Sequence, residues 1–254
     1  MKKNLCLLFI LFSCSHTAKE FSPDQALRVM LGSLIKEFKV GGEQVRSDLK
    51  AFRSNAKKNQ NKESEEIYRK LFLGFHPDGL TQFILQYYHQ KFTESEVRFI
   101  YSSLQDPQIE ELSKQVKNDF NPRYYYSFWQ HDQLNFSEGR QEMFERIASD
   151  LGIWTIQSSI MDGIDKLFRP FVNKGGKDLI GYTFMKHRKE KKMNLVYSGY
   201  FRFELLRYRY REFTNEDLVY WLEILERPLV ARFYQEQVNA IQFAFTQMSN
   251  ILKI

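Results

Sequence analysis

Helix-start signals followed by apolar residues at three- and four-residue spacing recur along this chain, and they restrict it to a helical fold. Ser22 precedes Pro23 and is followed three residues later by Gln25, which is the pattern of a capped first turn. Thr93 is likewise followed by Glu96, so that side chain and backbone can satisfy each other's hydrogen bonds. Strand signals are scarce, because no Asn-Gly turn joins two alternating apolar runs. The sequence therefore predicts an all-α fold.

Glycines and polar stretches predict where the first helices end. The helix that starts at Ser22 is expected to end at Gly41-Gly42, because glycine is the residue most typical of a helix terminus. A second, weaker helix should follow. The stretch from Arg53 to Ser64 is rich in Asn, Lys and Gln, and we expect it to be a solvated loop.

Part of the chain is repeated at an offset of 121 residues, which brings Thr93 onto Thr214. The acid of the first cap, Glu96, then corresponds to Asp217, so the second threonine is also expected to cap a helix. Six positions are identical between the copies: Leu85, Tyr87, Phe92, Thr93, Leu104 and Pro107 correspond to Leu206, Tyr208, Phe213, Thr214, Leu225 and Pro228. The sequence thus predicts two related antiparallel helical units packed together, 22–120 and 137–254, joined by an aromatic junction at 121–136.

Residues 1–18 have the pattern of a secretory signal segment. Two lysines precede an apolar run from Leu5 to Phe12, and small and polar residues follow it. The run is too short to cross a bilayer, which needs about 20 residues. We therefore expect the segment to be removed, the body to be exported, and the mature protein to have no transmembrane helix.

Cys14 is a candidate site of lipidation. It follows Leu11, Phe12 and Ser13, and this run resembles the lipobox at which bacterial lipoproteins are processed. The resemblance implies an exported protein of the periplasm or one held in the cell envelope by a lipid anchor. The alternative is ordinary cleavage nearby, for instance after Ala18. Both cysteines of the chain precede residue 15, so the body can form neither disulfides nor thiolate sites.

The residues around the first threonine cap resemble those of a known family. The run from Tyr88 to Val97, with its Phe-Thr pair and two acids, and the later Pro107 resemble the exported bacterial helical domain of unknown function 2059. The resemblance covers about residues 22–120, and a looser second copy extends from Phe213 to Pro228. It implies export and helicity, and it implies no reaction.

A basic block in the second half is a candidate surface for anionic partners. The net charge of +6 is mild, and with export it argues against a nucleic-acid partner. Anionic lipids, anionic envelope polymers or an envelope protein are the expected partners instead. The residues of this basic block are Lys186, Arg188, Lys189, Lys191 and Lys192. The competing interpretation is a solvated region whose nearby arginines pair with glutamates such as Glu204 and Glu212.

An aromatic cluster at the junction is the second candidate for ligand contact. It comprises Tyr124, Tyr125, Tyr126 and Trp129. Aromatic rows can stack on sugars or bases and can anchor partner proteins. A dense aromatic segment between two units more often fills the seam between them, and we favour that interpretation.

The sequence predicts no catalytic residue, no metal site and no cofactor. The histidines of the body, at positions 76, 89, 131 and 187, are too scattered for a pair of ligands on one helical face. We therefore expect a non-enzymatic helical interaction or binding module tethered in the cell envelope. The alternative is an envelope-acting enzyme whose active site, lacking a recognisable motif, lies between the two halves.

Overall fold

The computed structural model describes residues 21–58, 60, 62–109, 111, 136–174 and 203–252. Of these residues 85% are helical and none is in a strand, which confirms the predicted all-α fold. The predicted signal segment and most of the aromatic junction lie outside the described residues. None of the described helices combines the length and the apolar character that crossing a bilayer requires.

The predicted starts at Ser22, Thr93 and Thr214 are observed, but the first helix ends at Met30, so the helix predicted from Ser22 to Gly41-Gly42 is interrupted at Leu31. The helices with complete bounds are α1 (Pro23–Met30), α2 (Gly32–Lys58), α3 (Lys62–Gly74), α4 (Pro77–Lys91), α5 (Glu94–Leu104), α6 (Glu138–Asp150), α7 (Thr155–Lys174), α8 (Asn215–Leu225) and α9 (Pro228–Leu252). Residues 203–209 are also helical. Proline stands at the first position of α1, α4 and α9, where its missing N–H costs nothing.

Two further predictions concern α2, and both are wrong. The prediction that Gly41-Gly42 ends a helix is wrong, because α2 continues through both positions. The predicted loop from Arg53 to Ser64 is also wrong, since α2 and α3 cover most of it. Two interior glycines cost about 1 kcal/mol each relative to alanine. The same helix buries Leu34, Phe38 and Leu49, and each such side chain contributes about 1.5–3 kcal/mol, so burial outweighs the glycine cost.

The described residues form two compact units, each assembled from separated parts of the chain. Unit 1 takes its described residues from 21–33, 92–111, 136–155 and 203–237, and unit 2 from 34–91, 156–174 and 238–252. Neither unit coincides with the predicted halves 22–120 and 137–254, because each draws residues from both. The two related halves stay a prediction.

Unit 1 contains two helix pairs whose helices are preceded by similar residues. In one pair α1 packs against α5, and in the other α6 packs against α8. Phe21 precedes α1 and its ring lies 5.5 Å from that of Tyr101, while Phe136 precedes α6 and lies 5.2 Å from Phe144. A Phe-Ser pair thus leads into the first helix of each pair, and a Phe-Thr pair leads into the second.

Unit 2 is built around buried aromatic and aliphatic side chains of α2, α3, α4, α7 and the end of α9. The ring of Phe38 lies 5.8 Å from that of Phe245, and Tyr87 lies 5.5 Å from Phe243. Gly163 of α7 is also buried and lies against Phe245. Side chains or backbone of α2, α4 and α7 therefore meet the same end of α9.

Candidate functional site

Both predicted threonine caps are present in unit 1. The hydroxyl of Thr93 accepts from the backbone N–H of Glu96 at 3.3 Å, and the Glu96 carboxylate accepts from the N–H of Thr93 at 2.7 Å. At α8 the hydroxyl of Thr214 accepts from the N–H of Asp217 at 3.1 Å, and the reciprocal distance is 2.9 Å. These bonds satisfy helix-end donors, which is a structural task.

The remaining predicted site residues lie outside the described residues. This applies to the lipidation candidate, to the basic block and to the aromatic cluster at the junction, namely Cys14, Lys186, Arg188, Lys189, Lys191, Lys192, Tyr124, Tyr125, Tyr126 and Trp129. Their roles stay predictions.

Two arginines near the basic block follow the competing interpretation. The guanidinium of Arg207 lies 2.7 Å from the carboxylate of Glu204, and that of Arg211 lies 3.1 Å from Glu212. Their charges are thus compensated by glutamates of the same segment. An anionic partner would have to compete with those carboxylates for either arginine.

A groove on unit 1 brings together side chains from two distant segments of the chain. It has a volume of about 490 Å³, within the range of about 300–1,000 Å³ that is usual for small-molecule sites. Its lining comprises Gln141, Glu145, Trp154, Phe203, Glu204 and Arg207. We call it the Trp154 groove.

The turn after α6 explains why Trp154 faces solvent. Gly152 has a φ of 66°, a left-handed conformation that glycine adopts without steric cost. Its N–H donates to the carbonyl of Ser149 at 2.9 Å, and the N–H of Ile153 donates to that of Ala148 at 3.0 Å, which is the Schellman pattern. Ile153 is thereby turned into the core. Trp154, the next residue, is 44% exposed at the rim of the groove.

Two aromatic rings and an ion pair are among the residues that line the groove. The rings of Trp154 and Phe203 are 5.3 Å apart. The Glu204–Arg207 pair is largely buried, with side-chain exposures of 12% and 13%. Its guanidinium lies 5.7 Å from the ring centre of Phe203 and 5.2 Å from that of Phe136. A buried ion pair adds little net stability, although removing one partner alone is strongly destabilising.

Helix α6 supplies the polar wall. The amide of Gln141 donates to the carboxylate of Glu145 at 2.9 Å, one helical turn away. Glu145 is exposed, so its carboxylate is open to a ligand. Two carboxylates and one guanidinium line the groove, which gives it a small negative charge.

A second groove lies in unit 2, between α7 and α9. Its volume is about 270 Å³, and its one aromatic side chain, Phe245, is buried. The other lining residues are mostly small or polar: Ser159, Asp162, Gly163, Lys166, Leu167, Gln242, Thr246, Ser249 and Asn250. It lacks the exposed aromatic surface that makes the Trp154 groove the stronger candidate.

In the described ranges, no three His, Cys, Asp or Glu side chains lie close enough together to hold a metal ion. His76 and His89 are both exposed.

Sequence reasoning did not single out Trp154, Gln141 or Glu145. One local signal was available: a glycine directly after a helix, followed by Ile-Trp, predicts that one of the two apolar residues faces outward. The competing interpretation predicts that an arginine pairs with Glu204 in a solvated region, but it predicts neither the burial of that pair nor its place in a groove.

The predicted family gains no support from known proteins. No protein-family model, no curated protein and no solved structure matches the chain. The resemblance to the domain of unknown function 2059 stays a prediction.

Proposed function

We propose that this chain is an exported, non-enzymatic binding protein of the cell envelope, tethered by a lipid at Cys14, that holds its ligand in the Trp154 groove. The signal pattern and the lipobox-like run support the location. The exposure of Trp154 in a groove that it shares with a largely buried ion pair is the observation that carries the binding role.

An exposed indole beside fixed polar groups is typical of a binding site. Apolar surface that is removed from water contributes about 25 cal/mol per Å², so covering Trp154 is favourable for a ligand. Tryptophan is accordingly enriched among the residues that dominate binding energies. Because Phe203 and the Glu204–Arg207 pair are already packed, little conformational entropy is lost when a ligand binds.

The tether is tested by Cys14→Ser. This variant should lose acyl labelling and move from the membrane fraction to the soluble fraction. Cys6→Ser, in the same segment, is the control and should leave both unchanged. A wild type that is never labelled and is fully soluble after export would show that the tether is wrong.

The binding role is tested with a bacterial envelope extract separated into lipids, proteins and glycans. A fraction that holds the ligand should raise the unfolding free energy of the full chain, by about 2.7 kcal/mol at a ligand concentration of 100 Kd. Trp154→Ala should abolish the gain. Phe99→Ala, at a residue of unit 1 that is 48% exposed and outside the groove lining, should retain it. The proposal fails if no fraction stabilises the wild type, or if both variants respond alike.

An enzyme acting on the envelope is the second candidate function, because Glu145 and Glu204 line one groove and glycoside cleavage uses paired carboxylates. Both belong to the second predicted half, rather than to a cleft between halves. Binding is preferred, since each carboxylate already accepts a hydrogen bond, from Gln141 and from Arg207. Release of reducing ends from oligosaccharides, abolished by Glu145→Gln, would support the enzyme instead.

A further inference from the structure

We propose that the Trp154 groove binds a neutral saccharide, with the C–H face of a sugar ring against Trp154 and the hydroxyls bonded to the polar side chains around it. This inference rests on the proposed function, for which it names the class of ligand. It is carried by the juxtaposition of an exposed indole, an exposed carboxylate and a largely buried ion pair in one groove.

The shape of a sugar ring explains why the groove needs both kinds of surface. A pyranose presents axial C–H groups on one face and hydroxyls around its edge. The flat indole of Trp154, backed by Phe203 at 5.3 Å, offers an apolar surface of matching size for that face. Lipid chains, by contrast, would remove the charged groups from water and offer them no new hydrogen bond.

The polar side chains of the groove can accept hydrogen bonds from sugar hydroxyls and donate hydrogen bonds to them. The carboxylates of Glu145 and Glu204 accept hydrogen bonds, while the amide of Gln141 and the guanidinium of Arg207 donate them. All four groups are planar and can bridge neighbouring hydroxyls in the bidentate manner. The Gln141–Glu145 and Glu204–Arg207 bonds hold these groups in place before the ligand arrives.

The charge of the groove selects against anionic ligands. An anion such as a phosphate headgroup would meet two carboxylates and a guanidinium that is already neutralised by Glu204. A cation would be drawn to Glu145 and to the indole, but an ammonium group carries no acceptor for the donors of Gln141 and Arg207. A neutral polyhydroxylated ligand can both donate and accept, and it meets no like charge.

The test is isothermal titration of the full chain with two neutral probes, the β-1,4-linked tetramer of N-acetylglucosamine and maltotetraose. At least one should bind, and binding should protect tryptophan from acrylamide quenching. Trp154→Ala should weaken it about tenfold or more, as expected for an aromatic anchor, and Trp154→Phe should restore most of the affinity. Glu145→Gln should weaken it severalfold, because a charged acceptor is replaced by a weaker one.

Matched controls separate binding from folding. Glu142→Gln, at another exposed glutamate of α6 outside the groove lining, and Phe99→Ala should leave the affinity within about twofold of the wild type. If Trp154→Ala does not fold by circular dichroism, Glu145→Gln, a change at an exposed residue, decides the question.

Two further probes distinguish this inference from the proposed function. Spermidine represents cations and short-chain phosphatidylglycerol represents anionic lipids. If either binds in a Trp154-dependent way while both saccharides do not, the saccharide inference is wrong and the proposed binding role stands. If no probe and no envelope fraction binds through Trp154, both are wrong.

Discussion

Gly163 of α7 lies directly against the ring of Phe245 of α9, and this contact requires a residue without a side chain. A Cβ at position 163 would stand 2.6 Å from Cγ of Phe245 and closer still to two other ring carbons. Glycine is thus required here by the close approach of two helices rather than by its own backbone angles.

Gly163→Ala should destabilise unit 2. Alanine is favoured over glycine inside a helix by about 1 kcal/mol. The forced shift of a packed ring costs about 1–3 kcal/mol, and because Phe245 is only 5% exposed the ring has little room to move. We expect a net loss, measured as a lower urea midpoint. Phe245→Leu in the same chain should recover part of it.

Gly139→Ala is the matched control, because nothing lies within 4 Å of a Cβ added at that exposed position of α6. Here only the higher helix propensity of alanine acts, so the urea midpoint should rise. The gain in the free energy of unfolding should be at most about 1 kcal/mol. Equal effects of the two substitutions would show that the contact with Phe245 does not limit the approach of α7.

Thr93→Ala and Thr214→Ala should each cost about 1 kcal/mol, because each removes the hydroxyl that accepts from the first turn of its helix. The two losses should be similar and should add to within about 0.5 kcal/mol in the double variant. Denaturant midpoints of the three variants measure this. A silent Thr214→Ala beside a costly Thr93→Ala would mean that the two copies are not structural equivalents.

Arg140 should contribute far more to the free energy of unfolding than its partly buried position suggests. It donates to the side chain of Asn215 at 2.8 Å and to the backbone carbonyls of Tyr210, Arg211 and Phe213, which form the turn before α8. Arg140→Ala should cost about 2–3 kcal/mol, since several acceptors lose a charged donor at once. Arg140→Lys should recover little, because an ammonium cannot reproduce the planar fork.

Arg146→Ala provides the comparison on the same helix. Its guanidinium pairs with Glu226, but both side chains are about half exposed. Such surface pairs contribute about 0–1 kcal/mol. Thermal unfolding of the two alanine variants should therefore differ clearly, and equal losses would contradict the role assigned to Arg140.

The stability of unit 1 should depend on pH through Glu96. Hydrogen bonds from the backbone N–H and then the hydroxyl of Thr93 hold the pKa of Glu96 below its ordinary value of 4.5. A depressed pKa in the fold contributes stability that is present above pH 4.5 and is lost as the pH falls through the lower, folded pKa. Wild type should therefore exceed Glu96→Gln in stability at neutral pH, and the difference should shrink in acid.

Urea midpoints between about pH 7 and about pH 3 measure this difference. Glu94→Gln, at an exposed residue in the same first turn, is the control. It should lose as much stability as the wild type when the pH is lowered. A constant gap between wild type and Glu96→Gln at every pH would contradict the assignment.

The caps could be predicted from the sequence because four consecutive residues contain all of their chemistry. The continuity of α2 could not, since the two glycines argue for a break and only the burial of Phe38 and Leu49 outweighs them. Local propensity is a weak signal wherever packing decides.

The Trp154 groove was beyond sequence reasoning for a different reason. Glu145 and Phe203 belong to segments that only tertiary packing brings together. The exposure of Trp154 depends on a backbone turn at Gly152 and on which of two apolar neighbours finds room in the core. Pattern and spacing along the chain specify neither.

The interleaved composition of the two units sets the order in which this chain can complete its fold. Unit 1 combines residues near position 21 with residues up to 237, and unit 2 includes the end of α9. A chain that emerges N-terminus first can therefore close neither unit until α9 has begun to emerge, and such distant pairings form slowly. For the exported protein that we propose, late closure keeps these residues unfolded for passage through a translocation pore until α9 follows.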